Sequence, residues 1–317
     1  MVEDFPRTVL EFEDRFRTEE ACRAYLVQLR WPNGFGCPHC GHGQAWPTGR
    51  GLLKCCGCRA HVSVTAGTIF QDSHLPLRVW FRAIWWITNQ KSGVSALGLQ
   101  RTLGLGSYET AWACLHKLRR AMVRPGRDRL AGEVEVDETF VGGVEKGGGK
   151  RHRGTKALVA VAAEVKGRGI GRIRLQPIPD ASEHSLDGFV QNAVTPGAVV
   201  ITDGWSAYPA LTQLGYVHRP RVVRASGQTA TTLLPRVHRV TALLKRWLLG
   251  IHQGRASREH LVYYLDEFTF RFNRRQSRHR GKLFYRLLQQ AVAVDPVPYT
   301  DLVGQKKPHE SGSLPLS

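Results

Sequence analysis

Two C-x-x-C pairs set the tightest constraint on what this chain can fold into. "CPHC" at Cys37–Cys40 and "CCGC" at Cys55–Cys58 stand about fifteen residues apart, a spacing that suits two metal-binding turns. Zinc takes four soft ligands in a tetrahedron, and two short turns supplying two thiolates each satisfy it. Cys37, Cys40, Cys55 and Cys58 are the expected ligands; Cys56, His39, His42 and His61 stand nearby but outside the set. Four protein ligands close the coordination shell, so this zinc would be structural. A segment this short builds no apolar core alone, which makes metal binding its folding energy. Cys22 and Cys114 sit on helical apolar faces and read as buried thiols.

Charge says what the rest of the surface is for. Against 45 Lys and Arg the 317 residues hold only 26 Asp and Glu, a net charge of +19 and a pI near 10.1. Such a surface attracts polyanions, and nucleic acid is the default partner. No run approaches the roughly 20 apolar residues of a membrane span. "MVEDFPRTVLEFEDRF" carries acids where a secretory leader would carry bases. The expectation is a cytoplasmic, nucleoid-associated protein with no membrane partner, and in that reducing setting the cysteines favour metal over disulfides.

Residues 8–30 show a roughly helical apolar stripe, broken at "WPNGFG". After the Cys-rich stretch, helical spacing returns from Pro76 to Met122, with Gly breaks that divide it into three helices. The last, "YETAWACLHKLRRAM", is basic and has the place of a recognition helix in a helix-turn-helix unit. Beyond "RPGRDRLAGE" the period changes to strands: Glu133–Val141, then "KALVAVAAEVKG" and "GRIRLQPIPD" about a Gly turn. A helix at "SEHSLDGFVQNAV", a buried strand "GAVVITDG" and helices over Leu234–Leu249 and Arg258–Arg274 complete an α/β layered domain. The expected organisation is multidomain α/β. It has an N-terminal helical segment (1–35), a zinc ribbon (36–72), a helical DNA-binding region (73–125), a catalytic domain (130–292) and a flexible tail (293–317).

"VEVDETFVGG" is an odd stretch for so basic a chain. On a strand, Glu133, Glu135 and Asp137 share one face, and an acidic row on a core strand needs a cation, water or a metal beside it. Asp203 ends the apolar strand "AVVITDG", at the carboxyl edge where open α/β sheets place their chemistry. Two carboxylates on neighbouring strands form an oxygen site suited to Mg²⁺, and paired ions there can drive phosphodiester chemistry. Taken singly, Asp137 also reads as a solvated acid and Asp203 as a turn residue.

Together "CPHCGH…CCGCRAHVSVTAGTIF", "LGLGSYETAWACLHKLRRAM", "VEVDETFVGG", "VITDGWSAY" and "HLVYYLDEFTFRFNRR" resemble bacterial insertion-sequence transposases of the ISXO-like DDE group, over about residues 15–292. The resemblance implies a zinc ribbon, a helical DNA-binding region and a ribonuclease H-like catalytic domain, a mixed sheet flanked by helices. It also implies cutting at the element's inverted-repeat ends and joining them to target DNA, with Mg²⁺ or Mn²⁺ as cofactor. Asp137 and Asp203 match the first two acidic positions.

The third position departs from the family pattern, which has Glu or Asn seven residues before a Lys. Here Lys245 is that Lys and His238 stands in the third place, about 35 residues past Asp203. A neutral imidazole can hold a divalent ion but is softer than Mg²⁺ favours, so Mn²⁺ would do relatively better. Glu267 in "YLDEFTF" is the alternative third ligand, or a partner for Arg271. Lys245 would point at the scissile DNA. Arg271, Asn273, Arg274 and Arg275 in "FRFNRR", with Lys150, Arg151 and Arg153 in a Gly-rich loop, are candidate phosphate contacts. The partner is double-stranded DNA, and pairing two ends asks for at least a dimer. Two other readings stay open: a zinc-ribbon DNA-binding protein without catalysis, and a metal-dependent nuclease of the same fold that cuts but does not join.

Overall fold

The computed structural model describes residues 3–124, 126–142, 156–252 and 259–303. They form two compact units, one containing the residues up to Ile87, Ala96–Ala121 and the stretch from Phe284, the other Thr88–Ser95 and Met122–Leu283.

The first unit opens with two helices, α1 (Val9–Arg15) and α2 (Glu19–Arg30), where the stripe predicts one. Thr18 breaks it: its backbone is extended and its side chain accepts the Ala21 N–H, an N-cap with Glu19 and Glu20 in the first turn. The ribbon is a three-stranded antiparallel sheet of β1 (Ala45–Pro47), β2 (Leu53–Cys55) and β3 (His61–Val62). Its core is only Cys37, Cys55 and Val62, backed by Trp31, Phe35 and Leu53. Then come α3 (Leu77–Asn89), α4 (Ala96–Leu103) and α5 (Tyr108–Ala121), the three expected helices. In α5 part of the basic end lies inside the fold. Cys114 through Arg119 are buried, Lys117 and Arg119 included, and Lys117 donates to the Gln71 carbonyl. Those cations are turned into the protein, and Arg120 is the exposed base of the last turn.

The second unit is a five-stranded sheet in the order β6-β5-β4-β7-β8. Its strands are β4 (Glu133–Val141), β5 (Ala157–Lys166), β6 (Gly169–Ile178), β7 (Val199–Thr202) and β8 (Val217–Pro220). β4, β5 and β6 pair antiparallel; β4, β7 and β8 run parallel. β5 and β6 are joined by a short turn, and the parallel step from β6 to β7 passes through α6 (Glu183–Ala193). Single-turn helices α7 (Val223–Ser226) and α8 (Ala230–Leu233) lead into α9 (Pro235–His252), followed by α10 (Leu261–Asn273).

Alternation along the strands divides the core. Val134, Val136, Ala160 and Val200 face α6 through Leu186, Phe189 and Val190. Val159, Val161, Ala163 and Ile201 face α9 and α10 through Val237, Val240, Leu244 and Leu265. β5 is buried on both faces and reads as an unbroken apolar run for that reason.

α11 (Arg280–Ala291) and α12 (Tyr299–Val303) close the described chain. From Phe284 onward they cluster with the first unit, so the expected boundary at 292 does not follow the packing. Phe284 enters an aromatic cluster with Phe12, Phe16, Phe81 and Trp85, where Phe12 stacks on Trp85 at 4.7 Å between ring centroids. The expected tail 293–317 thus carries a helical turn, and its part from 304 lies outside the described residues, as do Lys150, Arg151 and Arg153.

Candidate active site

The two cysteine knuckles are the same structure built twice. In each, the first Cys N–H bonds a carbonyl five residues on (His42, Ala60), and its own carbonyl accepts an N–H four residues on (Gly41, Arg59). Both fourth residues are left-handed, Gly41 at φ 74° and Arg59 at φ 58°. The four sulfurs lie within 4.8 Å of one another, with Cys37 to Cys58 at 3.7 Å and Cys40 to Cys55 at 3.6 Å. A zinc tetrahedron with Zn–S of about 2.3 Å has edges near ~3.75 Å, so these thiols fit zinc.

The four acids of "EVEVDE" have different tasks. Glu133 pairs with Arg219 at 2.8 Å near the surface. Glu135, with no exposed area, takes the Arg236 guanidinium at 2.8 Å and the N–H groups of Arg236 and Val237 at 2.7 and 3.0 Å. Asp137 is partly buried, its side chain 18% exposed. Its Oδ1 accepts the Glu138 N–H at 2.9 Å, and its Oδ2 lies 3.6 Å from His238 Nε2. Burial pushes the Asp137 carboxyl up to about 6, and the charge of Asp203 adds to that; the Glu138 N–H and Lys245 pull the other way. Glu138, on the α6 face, is also raised by burial, against the Tyr208 hydroxyl that donates to it at 3.0 Å.

Sheet register explains why Asp137 and Asp203 feel one another. β4 and β7 pair in parallel with Glu133 opposite Val199 and Glu135 opposite Ile201. Carried two residues further, the same register sets Asp203 beside Asp137, one strand spacing of about 4.8 Å away. Asp203 is fixed just past the strand end, where its Oδ1 accepts the Trp205 N–H at 3.0 Å. Gly204 must be glycine: its φ is +82°, and a Cβ would meet Val222 Cγ2 at 2.7 Å.

His238 is in the first turns of α9, and Lys245 follows seven residues later. Partial burial and the neighbouring Lys156 hold the Lys245 ammonium below its usual value, against the attraction of Asp137. The two lysines line an open cavity of about 310 Å³ with Phe140, Val141, Leu248 and Leu249. Among the described residues the four cysteines are the group of three or more donors drawn within 4.8 Å; Asp137, Asp203 and His238 stand more loosely. Two carboxylates and an imidazole on an electrostatically strained edge still suit a divalent ion that keeps part of its water.

The alternative third ligand is elsewhere. Glu267 has no exposed area and accepts the Arg271 Nε at 2.8 Å. It sits on α10, which packs against edge strand β6, two strands from β4. The residues expected on phosphate are engaged inside the protein as well. Arg271 also donates to the Gln90 carbonyl at 2.8 Å, and Asn273 bridges the Ile173 N–H and carbonyl at 2.7 and 3.2 Å. Arg274 lies over the Phe270 ring at 4.1 Å, and Arg275 donates to the carbonyls of Ile170, Gly171 and Phe272. "FRFNRR" thus ties α10 to β6, because guanidinium and amide groups at a helix end reach an edge strand's free carbonyls as readily as they reach a phosphate. Sequence reasoning missed what Glu135 and Tyr208 do. The available signal was spacing: Glu135 shares the strand face of Asp137.

A sheet ordered 3-2-1-4-5, with the second strand antiparallel to the rest, one carboxylate midway along the first strand and another just past the end of the fourth, defines a ribonuclease H-like domain. Residues 129–273 match the ISXO2-like transposase domain and residues 17–61 the transposase zinc-ribbon domain. The chain thus carries a DDE-type domain and a zinc-ribbon domain of the kinds found in ISXO2-like transposases. It is 29% identical over 279 residues to an uncharacterized protein in transposable element ISH50 of Halobacterium salinarum, covering 81% of this chain and 91% of that one. It is also similar to the crystal structure of a pre-cleavage Mos1 transpososome, at 14% identity and a TM-score of 0.29, covering 67% of this chain and 78% of that one. No helix among the described residues is long and apolar enough to cross a membrane.

Proposed function

We propose that this transposase cuts DNA at the inverted-repeat ends of its element and joins them to target DNA, with Asp137, Asp203 and His238 holding divalent metal. The observation that carries the reading is the crowding at Asp137. A half-buried carboxylate, raised to about 6 by burial and a second acid, with an imidazole 3.6 Å away, is an arrangement that costs stability unless a cation is meant to sit there. Mg²⁺ or Mn²⁺ would supply an activated attacking oxygen and charge stabilisation at the leaving one.

The protein's own residues do the placing. Asp137 is held by the Glu138 N–H and Asp203 by the Trp205 N–H, so each keeps its second oxygen for the ion. Lys245, attracted to Asp137, is in place to hold the phosphate of the strand being cut. His238 brings no charge, which favours Mn²⁺ over Mg²⁺ compared with a third carboxylate. Glu267, spent on Arg271, is disfavoured as third ligand. The basic surface collects double-stranded DNA, and joining two ends calls for at least two copies of the chain.

The test is strand transfer on a labelled end-repeat oligonucleotide in Mg²⁺ and in Mn²⁺, with wild type beside Asp203→Ala, His238→Ala and Glu267→Ala. Joined product should vanish for the first two and persist, per folded molecule, for Glu267→Ala. Survival in His238→Ala would remove His238 from the site. Binding without cutting by wild type in either metal would leave a zinc-ribbon DNA-binding protein; cutting without joining would leave a nuclease.

A further inference from the structure

We propose that Glu135 is a positioning residue: by capping α9 from within the sheet, it sets His238 against Asp137. The inference rests on the reading of Asp137 and His238 as ion ligands. Glu135 has no exposed area, and a carboxylate so buried persists only where donors meet it. Its donors are the helix itself. Pro235 is the first residue of α9 and has no N–H; the next two, Arg236 and Val237, donate theirs to Glu135 Oε2 at 2.7 and 3.0 Å. An N-cap side chain ordinarily does this from the residue before the helix, but that residue is Leu234, which has no side-chain acceptor. The cap comes instead from a strand about a hundred residues earlier in the chain.

The spacing ties this cap to the active site. Glu135 and Asp137 are two apart on β4, on one face and roughly 6.6 Å from each other. Arg236 and His238 are two apart on α9. Glu135 meets the backbone N–H groups of the helix start and Asp137 the side chain of His238 one residue beyond, so neighbouring positions on one face of the strand both meet the first turn of one helix. Arg236 locks this contact: besides Glu135 it donates to the carbonyls of Gly167 in the β5–β6 turn at 2.7 Å and of Gly169 at the start of β6 at 3.2 Å. A local Ser or Asp would cap the helix without burying a charge. What the buried Glu adds is a helix start fixed to the strand that bears the first catalytic acid.

The experiment uses zinc-loaded full-length protein with Mn²⁺ as probe and no DNA. Wild type, His238→Ala, Glu135→Gln and Glu135→Asp are compared by Mn²⁺ titration and by pulsed electron paramagnetic resonance, which detects imidazole nitrogen bound to Mn²⁺. Wild type should show nitrogen coupling that His238→Ala abolishes. Glu135→Gln and Glu135→Asp, checked for a cooperative melt, should lose most of that coupling and bind Mn²⁺ at least 10-fold more weakly, the range expected when a ligand's supporting contact is removed. Joining activity should fall in parallel while binding to end-repeat DNA holds. Either folded variant decides: full coupling and wild-type Mn²⁺ affinity in it would overturn the proposal. If wild type lacks the coupling that His238→Ala should remove, the ligand role of His238 fails instead, which is a different result.

Discussion

Replacing Asp137 by Asn should make the metal-free protein more stable while abolishing its chemistry. Asn is nearly isosteric and keeps the oxygen that accepts the Glu138 N–H at 2.9 Å, so what is lost is the charge. Asp137 is raised from 3.8 to about 6; at about 1.4 kcal/mol per unit the ionised form costs the fold about 3 kcal/mol. The sign follows from linkage. Because the folded value lies above the unfolded one, the fold binds the proton more tightly, and stability falls as pH rises from about 4 to about 6. Above that window the full penalty applies, and well below it none does. Asp137→Asn should therefore melt roughly 6–12 °C higher at pH 8, taking 2–4 °C per kcal/mol, and the advantage should shrink steeply toward pH 4. Calorimetry on zinc-loaded protein free of Mg²⁺ and Mn²⁺ measures it. Saturating Mn²⁺ should then raise the wild type and leave the variant nearly unmoved. A variant no more stable than wild type at pH 8, or equally advantaged at both pH values, would refute the electrostatic reasoning.

Three further outcomes follow from other parts of the molecule. Cys40→Ser should drop bound zinc, measured by plasma mass spectrometry, from one per chain to none, and should melt the strands of the ribbon, whose apolar core is three residues. Glu267→Ala leaves the Arg271 guanidinium, only 13% exposed, without its carboxylate; it should cost about 3–5 kcal/mol in urea unfolding. Gly204→Ala, strained at φ +82° and driven against Val222, should cost about 1–3 kcal/mol, and joining should fall further than stability because Asp203 is the preceding residue.

What could be read from residues alone depended on how local each feature is. The knuckles were legible because four ligands in two short turns leave a spacing behind. The run of β4 over Glu133–Val141 was legible because its alternation is that of a half-buried strand. The break at Thr18 was passed over because the apolar stripe continues in phase across it, though "TEE" is a helix start. Arg271 and Asn273 read as phosphate contacts yet bond to the protein's own carbonyls and to Glu267. A basic helix end meets phosphate or its own edge strand with the same donors, and only tertiary packing says which. α5 shows the same limit: Lys117 and Arg119 count as surface charge in composition and are buried in the fold. Glu135 and Asp137 look alike in sequence, and only the arrival of α9 separates a brace from a ligand.

The pairing of β4 with β7 has a consequence for the safety of the cell that makes this protein. Neither of the early antiparallel pairs, β4 with β5 or β5 with β6, brings together the two acids proposed to hold the ion. That waits for the chain to cross through α6 and lay β7 parallel to β4. A nascent chain or proteolytic fragment ending before Val199 holds the first acid alone. On the proposed reading it carries DNA-attracting charge without the paired acids, and competence to cut comes only with the closing of the central sheet.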